Sequence, residues 1–166
     1  MAQLYTGGMK LPPTGSETGI IIVDHGSRRA ESNELLVAVT EAYRRRSDWR
    51  IVEPAHMELA EPSIATAFGR CVEQGAMLVV VFPYFLGPGR HWSGDIPRLA
   101  AEAASPYAGR GVRHLVTAPL GLHPLVLEVI DQRVGHCLER VQGRADACDV
   151  CAPGGGCVLL PPLASP

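Results

Sequence analysis

The run Gly19-Ile20-Ile21-Ile22-Val23 constrains this chain more than any other feature. Its β-branched residues fit a strand better than a helix. Because apolar and polar residues do not alternate along it, neither face can be left in water. Short strands buried on both faces belong to parallel sheets covered by helices. A second run, Met77-Leu78-Val79-Val80-Val81-Phe82 ended by Pro83, repeats the pattern.

Between and beyond these runs, strand and helix signals alternate. Helices are predicted over residues 32–46, 63–74 (closed by Gly75) and 124–141, and strands over 50–54 and 112–117. Another helix follows the Gly- and Pro-rich loop 84–94, with Asp95 as the expected N-cap and Pro97 in its first turn. In the last helix Ile130, Val134, Cys137 and Val141 form one stripe. The expected fold is α/β, a single-domain sandwich of about four parallel strands with flanking helices. Residues 1–18 read as a flexible lead-in, 19–142 as the domain, and 143–166 as a cysteine-containing tail without periodicity.

Several function classes are excluded. Lys10 is the only lysine and the formal net charge is -2, which argues against a nucleic-acid partner. No apolar run approaches the roughly 18–20 residues of a membrane span, so no membrane partner is expected. The triple arginine Arg44-Arg45-Arg46 ends a helix, where it complements the dipole. No Walker-type phosphate loop is present, so ATP is not expected. Residues 1–18 resemble neither a signal peptide nor a transit peptide.

Ligands of open parallel sheets bind beyond the carboxyl ends of the strands. Three unusual segments fall at such ends: Asp24-His25-Gly26-Ser27-Arg28-Arg29, the acidic segment from Glu53 through His56 and Glu58 to Pro62, and the segment from Gly87 through Arg90 and His91 to Asp95. His25 and His91 are therefore brought to one edge. Neutral imidazole suits Fe²⁺, Co²⁺, Ni²⁺ and Zn²⁺ and accepts protons near neutral pH. Glu58 is a further candidate, whereas Glu61 also reads as a helix-start residue. A phosphate site with His25 as nucleophile is a rival that leaves His91 unused.

The five cysteines are an odd number, unlike a secreted disulfide framework. Cys148-x2-Cys151-x5-Cys157 has spacing able to surround one metal or cluster, with Cys137 as a possible fourth ligand. The alternative is a frayed tail of free or redox-active thiols. Without a cluster the tail is expected to lack order. Cys71 reads as a small core residue.

Taken in order, IIIVDHGSRRAESNELL, VEPAHMELAEPSIATAF, CVEQGA, FLGPGRHWSGDIPRL, TAPLG and HCLERV resemble the small class II chelatases of sirohaem and cobalamin synthesis, most of all their plant and algal branch. The resemblance covers residues 19–157. It implies a lyase-class metal chelatase that inserts Fe²⁺ into sirohydrochlorin, with Co²⁺ insertion in cobalamin synthesis as the alternative. It also implies His25 and His91 as metal-handling residues, with Glu58 assisting catalysis. Ser27, Arg28, Arg29 and Arg90 would then bind the substrate's carboxylates. The tail matches one associated with an iron–sulfur cluster, which assigns Cys148, Cys151 and Cys157 as ligands with Cys137 to complete the set. A homodimer and a chloroplast location are further implications.

Overall fold

The computed structural model describes residues 16–151. Four strands, β1 (Thr18–Asp24), β2 (Ile51–His56), β3 (Leu78–Pro83) and β4 (Arg113–Val116), form one sheet in the order β2-β1-β3-β4. Every pairing is parallel, as expected. The helices are α1 (Ala30–Arg46), α2 (Ile64–Glu73), α3 (Ile96–Ala104) and α4 (Pro124–Val141). A single π-helical turn, His91–Asp95, leads into α3. The chain forms two compact units that divide between Gly121 and Leu122. None of the described helices is long and apolar enough to cross a membrane.

In the first unit the apolar character of β1 follows from its central place. Ile21 and Val23, with Val79 and Val81, join the core built with Phe68 and Cys71 of α2 and Ile96 and Ala100 of α3. Ile20 and Ile22 point the other way and pack with Val52 and with Leu36 of α1. Phe68 is fully buried, a burial that stabilises by about 1.5–3 kcal/mol. At Gly19 an added Cβ would lie 2.8 Å from Cys71 Cβ, so α2 closes directly on the backbone of β1. Cys71 is thus a small core residue, and burial pushes its thiol up to about 12.

Three elements depart from the sequence-based expectation. β2 continues through Pro54 to His56 instead of ending at the proline. A proline fits there because β2 is an edge strand, whose outward positions need no amide donor. Asp95 is not an N-cap: its backbone is already helical (φ -68°, ψ -48°) and its side chain makes no cap bond. The π turn runs straight into α3, so no capping position exists there, and the carboxylate is engaged elsewhere. Finally, the α4 stripe is not a core face, since α4 has no buried residue and Ile130, Val134 and Val141 are 52%, 54% and 41% exposed.

Candidate active site

In the order β2-β1-β3-β4 the chain direction of winding reverses between β1 and β3, which opens a crevice at their carboxyl ends. The loop after β1 carries His25 and the loop after β3 carries His91. Their rings meet across this crevice, with centroids 5.3 Å apart and planes at 70°.

The β1 loop is held by short backbone contacts. The ladder runs past the strand ends, with Met57 N donating to Asp24 O (2.8 Å) and Glu58 N to His25 O (3.1 Å). Gly26 adopts φ +82°, and a Cβ there would sit 1.9 Å from the Glu58 carbonyl oxygen. Only glycine fits that approach. Glu58 is thereby brought to His25, with Oε1 2.8 Å from Nε2. Leu59 beside it has φ +66°, a strained left-handed conformation often found at functional sites.

His91 is positioned differently. It opens the π turn, a feature common at functional positions, and its Nδ1 lies 2.8 Å from Asp95 Oδ2. An ionised carboxylate can only accept, so Nδ1 donates, and in the neutral ring Nε2 then presents a lone pair. Phe85 stacks near the ring at 6.5 Å. Trp92 Nε1 donates to Thr117 O at 2.8 Å, tying the turn to the end of β4. Trp92 is therefore pinned, whereas Leu86 is 73% exposed beside the crevice and Met57 packs against the core.

Of the substrate-binding candidates, Ser27, Arg28 and Arg29 lie just before α1, and Arg90 just before the π turn. Arg28, Arg29 and Arg90 are exposed, and none makes an ion pair among the described residues. Ser27 is braced by Asn33, which exchanges two 2.9 Å hydrogen bonds with its backbone. Its Oγ accepts from Arg29 N at 3.0 Å. Glu61 belongs to α2, not to the crevice: its Oε2 accepts from Ser63 N (2.7 Å) and Thr66 Oγ1 (3.0 Å). The Ser63 amide and the Thr66 hydroxyl lower its pKa.

Sequence reading missed the pairing of Asp95 with His91 and that of Asp24 with His56. The first had a signal, an acid four residues after a histidine in a helical turn. Among the described residues no group of three His, Cys, Asp or Glu is gathered closely enough to hold a metal. The crevice offers two imidazoles, each with a carboxylate partner.

In the second unit the segment after α4 carries polar clasps as far as Cys151. Arg133 forms a two-pronged pair with Asp149, Arg144 another with Glu139 at 2.6 and 2.7 Å, and Arg140 donates to Ala145 O. The Cys148 thiol is held below its ordinary pKa, first by the backbone amides of Cys151 and Val150. Arg133 is raised above its ordinary value by Asp149 first, and further by Cys148 and Cys137, so both thiols lie within its electrostatic reach. Cys157 lies outside the described residues, as do residues 1–15 of the expected lead-in.

The CbiX family model matches residues 19–137. Over 145 residues the chain is 55% identical to the chloroplastic sirohydrochlorin ferrochelatase of Arabidopsis thaliana, covering 87% of this chain and 64% of that one. The chain thus spans less than two thirds of that relative. Two solved structures share the fold at 32% identity: SirB from Bacillus subtilis with Fe³⁺ (TM-score 0.66, covering 70% of this chain and 46% of that one), and SirB from Bacillus subtilis subspecies spizizenii in complex with cobalt (TM-score 0.67, 72% and 50%).

Proposed function

Because this chain belongs to the CbiX family, we propose that it inserts Fe²⁺ into sirohydrochlorin to form sirohaem, without ATP, and that His25 and His91 deliver the metal. The observation that carries this reading is the imidazole pair at the β1–β3 crevice, each ring backed by its own carboxylate. Insertion releases two pyrrole protons as the ring nitrogens take the metal. Two His–carboxylate pairs are suited to that balance. His91 offers its Nε2 lone pair to Fe²⁺ and the neutral imidazole of His25 supplies the second ligand nitrogen as Glu58 makes way; when the metal passes to the macrocycle, each imidazole takes up one pyrrole proton. The ring protons then leave through the same two pairs. Imidazole binds Fe²⁺ without the grip of thiolate, so the metal can move on to the macrocycle.

The unpaired Arg28, Arg29 and Arg90 bind the substrate's carboxylates. The start of α1, which has no side-chain cap, adds free backbone amides. Ser27 orders that turn. Leu86 covers part of the ring.

Thiolates suit an iron–sulfur cluster, and the tail's donors fit one. The Cys148 thiol has a lowered pKa, Cys151 shares its turn, and Cys137 lies near the same arginine. These three, with Cys157, would hold the cluster, a redox-active group that is not the metal being inserted. The exposed Leu125, Ile130, Val134 and Leu138 of α4 support a homodimer, and the relative's chloroplastic address supports a plastid location.

The test is anaerobic insertion of Fe²⁺, Co²⁺ and Ni²⁺ into sirohydrochlorin, followed by its visible bands. Fastest turnover with Fe²⁺ supports the proposal, and no insertion of any metal sinks it. A cobalt preference would move the chain to the cobaltochelatase reading, which the cobalt complex of the similar SirB keeps open.

A further inference from the structure

Beneath the two loops lies a buried pair that the proposed chemistry does not use. The His56 side chain is 1% exposed, and its Nδ1 is 2.6 Å from Asp24 Oδ1. The two are register partners, the last rung between β1 and β2. The same Oδ1 accepts from Gly26 N at 2.9 Å, and His56 N donates to Pro62 O at 2.8 Å, closing the acidic loop at its base. Asp24 immediately precedes His25, and His56 stands two residues before Glu58. The backbone contacts that bring Glu58 to His25 thus start from this rung.

We infer, resting on the chelatase reading, that His56 and Asp24 are a positioning pair that holds His25 and Glu58 at one fixed separation and aims His25 at His91. Packing alone does not require an imidazole at this place. A buried polar ring costs desolvation unless bonded, and an apolar side chain would fill the volume without that cost. Nor is His56 itself catalytic, since it is shut away from solvent and from any substrate in the crevice. What the pair adds to the backbone ladder is a directional side-chain bond between the two strand ends.

The full chain tests this with His56→Phe, which keeps the bulk and removes the bond, and His56→Asn, whose side-chain amide can donate again. In metal-free protein, the NOE between the His25 and His91 rings reports their proximity, and thermal melting reports the fold. Co²⁺ titration followed by visible absorbance, and Fe²⁺ insertion at varied sirohydrochlorin concentration, report the function. In His56→Phe the NOE should vanish, Co²⁺ affinity should fall by roughly 10–100-fold, and kcat should drop with KM for sirohydrochlorin little changed. His56→Asn should recover the NOE and most of the affinity.

A folded His56→Phe with wild-type NOE and Co²⁺ binding would overturn the inference, as would a folded His56→Asn no better than His56→Phe. If His56→Phe does not fold, Asp24→Asn takes its place: a weakened NOE and about tenfold weaker Co²⁺ binding support the pair, and wild-type values overturn it. The NOE needs neither metal nor tetrapyrrole. A wild-type chain unable to insert metal would sink the chelatase reading while the NOE still decided the positioning.

Discussion

His91 Nδ1 and Asp95 Oδ2 stand 2.8 Å apart across one π-helical turn, four residues from each other. This contact fixes which ring nitrogen is left for a metal. Replacing Asp95 with Ala frees the ring to rotate and to change tautomer, and Co²⁺ affinity should drop by roughly 10–100-fold. Calorimetric titration with Co²⁺ checks this, and unchanged affinity would show that the turn alone orients His91.

His25→Ala and His91→Ala should each abolish most insertion while leaving the melting temperature within a few degrees. Both side chains are more than 40% exposed, and surface truncations typically change stability by about 0.5 kcal/mol or less. Near-normal turnover in both variants would assign metal delivery to other residues.

Gly26→Ala should damage fold and function together. The new Cβ meets the Glu58 carbonyl oxygen at 1.9 Å, and φ is +82°. The backbone must move, at a cost of about 1–3 kcal/mol, and the His25–Glu58 contact moves with it. Chemical denaturation and an insertion assay on the same preparation measure both effects.

Cys148 and Cys71 should react at opposite ends of the pH scale. Adjacent backbone amides lower the Cys148 pKa, so its thiolate persists to lower pH than that of an ordinary cysteine. Burial pushes Cys71 up to about 12, so it stays protonated through neutrality. Iodoacetamide at pH 7, followed by peptide mass spectrometry, should label Cys148 well before Cys71. The reverse order would remove the case for a poised thiolate.

Truncation before Cys148 should abolish any visible cluster spectrum after anaerobic reconstitution and leave metal insertion in place. Retention of the cluster by the shortened chain would defeat the cysteine assignment.

Much of this was legible from residue pattern. The Ile20-Ile21-Ile22-Val23 run announced a strand buried on both faces because burial on both faces leaves no room for polar alternation. The convergence of His25 and His91 followed from strand-end logic. What escaped were contacts made by backbone geometry. Asp95 looked like a cap, because the sequence does not show that a π turn already supplies the helix start. The Asp24–His56 rung was hidden by Pro54, which reads locally as a strand end, although an edge position accommodates it. The polar clasps of the tail escaped because they join α4 to residues up to 16 positions away, which no local periodicity encodes.

Pro54 has one more effect. β2 is a margin of the sheet, and bare margins invite strands from neighbouring molecules to pair with them. A residue with no N–H interrupts the outward row of donors halfway along β2. An edge-to-edge pairing of two copies through β2 would leave one rung without its hydrogen bond, so Pro54 disfavours a continuous eight-stranded ribbon across this margin.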